Sequence, residues 1–333
     1  MTTTVPLRDR ASFRVGVFLT LAVLFVASFF YGVGTGSIPL SPGEIVQAIT
    51  EGETSQWHRV VWDIRVPRVI LAALVGTALA VSGAVLQAVM GNPLADPGII
   101  GVTSGAGFFG MLILLAAPTM VASVPVAAFG GAMLAAIVIY ILAWRGDISP
   151  MRLILAGVAV NALFGAGISA LMVLYSDRVQ GALLFMNGTL SLRSWPEIRI
   201  ALPYILAGLL LAVLCCRRLD VIVLGDDVAR SMGMNVQANR LALTAIAAVL
   251  AAACVSAVGL LGFVGLIVPH IMRMVVGNRH LVLIPASILA GGALVMASDT
   301  LSRTLFSPTE LPVGIAMAVL GVPFFLFLLR RTM

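Results

Sequence analysis

Few groups in this chain could do chemistry. Its three histidines, His58, His270 and His280, lie far apart and show neither HxxxH nor HExxH spacing, so no ligand set for a catalytic metal is present. Cys215, Cys216 and Cys254 fall in or beside apolar stretches and suggest neither a metal site nor a disulfide framework. No glycine-rich loop of the G-x4-G-K-[ST] type exists to cradle nucleotide phosphates. What remains are polar interruptions in apolar sequence: "GNPLADPGIIGVTSGAGFFG" at 91 to 110, "LGDDVARSMG" at 224 to 233, and arginines at the edges of apolar runs, Arg65, Arg68 and, after "ASDTLSR", Arg303. None of these makes or breaks bonds. Each suits the ending, joining or docking of helices.

The elements that position them span a membrane. The 333 residues are 60% hydrophobic and 10% charged, with a mean hydropathy of +1.10, which excludes a soluble globular domain. A crossing needs about 20 apolar residues. Clear spans lie near 13 to 31, 69 to 90, 119 to 144, 151 to 174, 202 to 216, 241 to 261, 281 to 298 and 312 to 329. Two further pieces, near 98 to 116 and 263 to 277, are glycine-rich or interrupted by Pro269 and are expected to be short or re-entrant. Counting both gives an all-α polytopic protein of about ten transmembrane helices. Continuous apolar runs exclude a β-barrel, whose strands alternate over about ten residues.

Every positive side chain is arginine, since lysine is absent. A ten-span arrangement with a cytosolic N-terminus puts Arg8, Arg10, Arg14, Arg145, Arg152, Arg217, Arg218, Arg230, Arg240, Arg273, Arg279, Arg330 and Arg331 inside. It leaves Arg59, Arg65, Arg68, Arg178, Arg193, Arg199 and Arg303 outside. That bias places both termini in the cytosol. The net charge of +6 then belongs to a membrane rim and not to a nucleic-acid surface. The start "MTTTVPLRDRASFR" resembles a signal peptide, but no clear small-residue cleavage site follows, so it opens the first span.

The interruptions admit two readings each. Asn92-Pro93 ends a helix, because proline pushes residue 92 out of helical dihedrals, and Pro97-Gly98 restarts the chain with Asp96 placed to cap it. That is a tight turn between helices or a break beside a lumen, since non-helical backbone at membrane depth must be satisfied by protein or trapped water. In "LGDDVARSMG", Asp226 and Asp227 suit a helix N-terminus and Gly233 its left-handed cap. A helix of about seven residues is too short to persist alone, so it docks on a partner or is an amphipathic surface loop. Gly157, Asn161, Gly165 and Ser169 recur every four residues and serve either helix packing or pore lining. Gly314, Ala318 and Gly321 make a similar row. Arg65, Arg68 and Arg303 belong at the rim, anchoring headgroups or, for Arg303, pairing with Asp299 one turn away. His270, following Pro269, is expected to be satisfied at a helix end.

Four stretches in order, "RVPRVILAALVGTALAVSGAVLQAVMGNPLADPGIIGVTSGAGFFG" (65 to 110), "LILAGVAVNALF" (153 to 164), "LGDDVARSMGMNV" (224 to 236) and "GFVGLIVPHIMR" through "ELPVGIAMAVLGVPFFLFLLRR" (262 to 331), resemble the FecCD-type permeases of ABC importers for iron-siderophores, haem and vitamin B12. The resemblance covers nearly everything after residue 60. It implies the type II importer architecture, a single permease domain over 1 to 333, and a bacterial cytoplasmic membrane. The implied partners are a second permease subunit, identical or paralogous, two ATPase subunits holding ATP and Mg, and an extracytoplasmic substrate-binding protein. The chain itself would carry no cofactor. By the same resemblance, the segment near 222 to 237 couples to the ATPase through Gly225, Asp226, Ala229, Arg230 and Gly233. Arg65, Arg68 and Arg303 would meet carboxylates of the binding protein, Asn92, Pro93 and Leu94 would form an inner gate, and Gly157, Asn161, Gly165 and Gly314 would border the path.

An ion-coupled secondary transporter is the rival. Such proteins carry mid-membrane carboxylates for the coupling ion, whereas Asp299 and Glu310 fall near expected helix ends.

Overall fold

A computed structural model describes residues 11 to 332 except 37, 39, 99, 145 to 148 and 308. Arg8, Arg10 and Arg145, used above for orientation, lie outside the described residues, as does the side chain of Arg331.

The described residues are helical, joined by turns and short irregular segments. Seven helices are long and apolar enough to cross a bilayer and three shorter apolar ones accompany them, consistent with about ten crossings. The long ones are α1 (Ala11–Gly34), α3 (Val66–Met90), α5 (Val124–Ala143), α6 (Pro150–Leu174), α8 (Trp195–Leu214), α11 (Val236–Val258) and α13 (His280–Thr304). The shorter are α4 (Val102–Ala116), α12 (Val264–Val276) and α14 (Val313–Thr332), whose described apolar part ends at Leu326. Four small helices fill connections: α2 (Pro42–Thr50), α7 (Val179–Met186), α9 (Cys216–Ile222) and α10 (Asp226–Ser231). A π-helical turn, Arg59–Arg65, runs directly into α3 and starts that helix well before the expected residue 69.

Helix α3 is the axis, packed against α8, α11, α12 and α13. Small residues permit this. A Cβ at Gly76 would lie 2.1 Å from the Gly291 carbonyl oxygen of α13, and one at Gly83 would lie 1.9 Å from the Gly265 carbonyl oxygen of α12. Backbones this close replace the hydrophobic drive that lipid tails remove. Ser82 and Gln87 add hydrogen bonds to the Ala247 and Gly265 carbonyls at 2.7 and 3.0 Å. By contrast α1 is peripheral, with 6% of its most apolar window buried.

At about 1.5 Å per residue, α12 and α4 are roughly 20 and 22 Å long, less than the roughly 30 Å of hydrocarbon. The irregular chain that completes them pairs with itself. Leu260 N–H donates to Phe185 O (3.0 Å), Thr189 N–H to Val258 O (2.8 Å) and Gly314 N–H to Gly188 O (3.2 Å). His270 departs from expectation: it lies inside α12, not at its end, and meets Phe324 edge-on at 5.9 Å.

Candidate functional site

The three rim arginines converge at one end of the bundle, and they are buried. Arg65, Arg68 and Arg303 are 5%, 6% and 4% exposed. Arg68 grips Asp299 with Nε and Nη2 at 3.0 and 2.9 Å and reaches Glu310 with Nη1 at 2.8 Å. Ser191 holds the same Glu310 oxygen at 2.8 Å. Arg65 donates to the carbonyls of Val33 and Gly34 at 3.1 and 3.0 Å and also to Ile38. Arg303 donates to the Gly32 carbonyl and lies 3.9 Å from Asp299. Gly32, Val33 and Gly34 end α1, so two guanidinium groups satisfy carbonyls that the helix leaves unpaired, at the negative end of its dipole. In this conformation all three arginines are engaged by acceptors of their own chain. Asp299 pairs chiefly with Arg68 of another helix, and only at 3.9 Å with its i+4 neighbour.

Glu310 precedes α14 and is one-third exposed. Burial alone would raise its pKa, but the hydrogen bond and charge of Arg68, with Ser191 and Arg303 behind them, hold the carboxyl below its ordinary value of 4.5.

At the opposite end the break after α3 takes a specific form. Gly91 turns left-handed at φ 57°, Gly91 N–H returns to Ala88 O and Asn92 N–H to Gln87 O, so the stop is a Schellman cap made by glycine ahead of the proline. The Asn92 side chain accepts from Leu94 N–H and Asp96 from Gly98 N–H, both at 2.9 Å. Asp96 therefore caps a turn. Helix α4 begins later, at Val102, after Gly101 at φ 70°. Asn161 of α6 clasps this segment, donating to Gly98 O at 2.9 Å and accepting from Ser104 Oγ at 2.5 Å. The four residues expected along a path are not alike. Gly157 is buried, Asn161 is taken up by that clasp, and Gly314 packs so tightly that a Cβ would sit 1.9 Å from Asn187 O, whereas Gly165 has open space around it.

At the same end of the bundle lies α10, leading into the start of α11. Gly225 at φ 99° starts it and Gly233 at φ 80° follows it. Within it Ala229 is fully buried. Asp226 is held by Arg240 of α11 at 2.8 Å, and Arg230 approaches Asp227 and Asp226 at 3.6 and 3.9 Å. Asp227, Val228 and Met232 stay exposed, the last two at 44% and 61%. The six-residue helix is held at its start by Arg240 and leaves Val228 and Met232 open on its outer side.

The sequence matches the FecCD transport family over residues 23–331. The chain belongs to the FecCD transport family. Among relatives of this FecCD permease, the Fe(3+)-citrate import system permease protein YfmE of Bacillus subtilis is 36% identical, over 94% of each chain. The cobalamin import system permease protein BtuC of Halobacterium salinarum is 43% identical, over 81% of this chain and 73% of its own length. A solved chain described as an inward-facing conformation of a metal-chelate type ABC transporter superposes with a TM-score of 0.85 at 27% identity, covering 95% of this chain and 99% of the other. The FecCD permease is thus a membrane-spanning component of an ABC importer, and these relatives support no ion-coupled mechanism.

Sequence reasoning missed several residues of the FecCD permease that the folded chain brings to its ends. Glu310 and Ser191 complete the arginine cluster across more than a hundred residues of sequence. Gln87 receives Arg273 beside the α3 break. Asp220 accepts from both the backbone N–H and the ring of His280, at 2.8 and 2.7 Å, and so ties α9 to the start of α13. Only the residue types at apolar borders hinted at them.

Two measurements check this reading of the cluster. Removing one member of a buried pair costs about 3–5 kcal/mol, whereas replacing both with apolar residues is far milder. Arg68→Leu should therefore sharply lower the melting temperature in detergent, and adding Asp299→Leu should restore much of the loss. Glu310 gives a pH signature. Its lowered pKa makes it stabilising above about pH 4.5 and lets that contribution fade as pH falls through its folded-state value. The stability gap between the native chain and Glu310→Gln should stay constant near neutrality and close in acid.

Proposed function

We propose that this permease carries a metal chelate inward, an iron-siderophore complex ahead of haem or cobalamin, powered by ATP hydrolysis on partner subunits. The observation that supports it most is α10: a short helix clamped by Arg240, bent at both ends by glycine, with Val228 and Met232 bare. Two ATPase subunits with ATP and Mg would seat on this projection and on that of a second permease subunit, a copy or a paralogue. The Asp226 end then faces the cytosol of a bacterium, with both termini, and an extracytoplasmic binding protein delivers cargo at the Arg68 end. Docking through Arg65, Arg68 or Arg303 would require their present acceptors to be exchanged for carboxylates of that protein. The chain acts as one permease domain over 1 to 333 and holds no cofactor of its own.

In this reading Asn92, Pro93 and Leu94 form the inner gate and Asn161 is its clasp. Gly165 faces the path; Gly157 and Gly314 keep the bordering helices close. The relatives named for Fe(3+)-citrate and cobalamin import support a bulky chelate as cargo.

Proteoliposomes holding the permease with its ATPase and binding protein should accumulate one of ferric siderophore, haem or cobalamin only with internal ATP; uptake driven by an ion gradient without ATP would reject the proposal. A narrower test addresses coupling. No atom lies within 4 Å of a Cβ at Gly233, so a substitution there meets no clash and strains only the φ of 80°, a cost of about 1–2 kcal/mol. Gly233→Val should leave a folded complex that hydrolyses ATP while uptake falls severalfold, and unchanged uptake would remove this role from the segment.

A further inference from the structure

Between α9 and the turn that joins α10 to α11 lies a recess of about 350 Å3. Arg218 and Val221 of α9 form one wall, and Met232, Gly233, Asn235 and Asn239 form the other. No atom lies within 4 Å of a Cβ at Gly233, so the space beside it is open. The second wall is fixed by its own chain. Gly233 N–H returns to Arg230 O at 2.9 Å and Met234 N–H to Ala229 O at 3.0 Å, closing α10, and Asn235 Oδ1 accepts from Ala238 N–H at 3.0 Å to start α11. A recess built this way needs little further ordering when a group enters it.

The recess lacks negative charge. Arg218 is exposed and its guanidinium meets no acceptor among the described residues, and the Nδ2 of Asn235 is likewise without one. The carboxylates of α9 and α10 are already engaged. Asp220 accepts from the backbone N–H and the ring of His280 at 2.8 and 2.7 Å, Asp226 is held by Arg240 at 2.8 Å, and Asp227 lies 3.6 Å from Arg230. Two donor groups in one concave place, with no neighbouring anion left for them, call for a carboxylate from outside the chain. Val221 and Met232 add an apolar flank for the methylenes that carry such a group. Position indicates its source. Met232, 61% exposed, is both a wall of the recess and part of the open side of α10, so a surface seated on α10 also covers the recess.

We propose that this recess receives an acidic side chain of the ATPase subunit, whose carboxylate accepts from Arg218 and from the Asn235 amide. The proposal rests on the reading that the ATPase seats on α10, and it adds a charged anchor beside the apolar one. Apolar contact at Val228 and Met232 is non-directional and lets the two surfaces slide, whereas a guanidinium and carboxylate at the end of the helix fix their register. The anchor also reaches past α10. Arg218 belongs to α9, and Asp220 of the same short helix ties α9 to the start of α13, so a displacement of the ATPase carboxylate pulls on a membrane-spanning helix directly.

The test titrates the ATPase subunit onto the full permease in nanodiscs, one set of phosphatidylcholine and one with phosphatidylglycerol added. Arg218→Glu removes the donor from an exposed position, and Arg217→Glu makes the same charge change next to it, at an exposed residue that is no wall of the recess. R218E should bind the ATPase at least about tenfold more weakly than the native chain, the worth of a hydrogen bond to a charged group, in both lipid sets. R217E should change binding by less than about twofold. Replacing the exposed carboxylates of the ATPase one at a time with arginine should identify one that restores binding to R218E and weakens it for the native chain. Val228→Asp tests the underlying reading by itself. If V228D binds the ATPase as the native chain does, α10 is not its seat and that reading falls; if V228D fails to bind while R218E binds normally, only the recess falls. Equal losses in R217E and R218E would overturn the proposal in favour of a diffuse positive field, a loss confined to the phosphatidylglycerol set would overturn it in favour of a lipid headgroup, and restoration by none of the ATPase replacements would overturn the pairing.

Discussion

In a bilayer, a backbone group that leaves the helical ladder has no water to turn to. An unpaired N–H or C=O in hydrocarbon costs several kcal/mol, so each departure from regular helix must be closed by some other part of the same protein. The chain around 185 to 189, 258 to 263 and 314 does this with reciprocal backbone bonds, and the chain around 91 to 101 does it with Asn92, Asp96 and the side chain of Asn161 from a separate helix. Short helices such as α4 and α12 are tolerable only because these closures exist. The fold is therefore organised around its breaks as much as around its spans.

The same constraint explains the placement of charge. A lone guanidinium at the bilayer centre costs about 2.5–3.5 kcal/mol by insertion measurements, yet three are buried together at one end. They are stable there because each meets acceptors already short of donors: the last carbonyls of α1 for Arg65 and Arg303, and two carboxylates for Arg68. Helix α1 is largely exposed, packed mainly along α13. The arginines fix its last turn, where Gly32 and Val33 are buried against the bundle.

The spans were legible because hydropathy over about 20 residues is a local property. Thus α1, α6 and α13 fall where composition put them, and α4 and α12 are short as expected, although α12 runs unbroken through Pro269 and ends at Gly277 instead. Local cues failed where a distant residue decides. Proline was read as the stop at residue 92, whereas Gly91 makes the turn before proline can act. Asp96 looked like a helix cap and serves a turn, because residues 97 to 101 needed closing first. Arg68 looked like a rim charge because neither Asp299 nor Glu310 stands near it in sequence. Asn161 belonged to a polar stripe on paper, and in the fold its partners, Gly98 and Ser104, lie about sixty residues away.

A segment closed by side chains differs in kind from one closed by backbone. The segments around 185 to 189, 258 to 260 and 314 exchange main-chain bonds, which no rotamer change can release. The break after α3 has main-chain turns of its own but is held together and to α6 by three side chains, Asn92, Asp96 and Asn161, and rotamers interconvert in far less time than a helix needs to unwind. If Asn161 lets go, Gly98 and Ser104 lose a partner, and the loss is tolerable only where water can replace it. The clasp can therefore open only against a wet lumen and must close against a dry one, which ties the shape of this segment to the state of whatever space lies beside it.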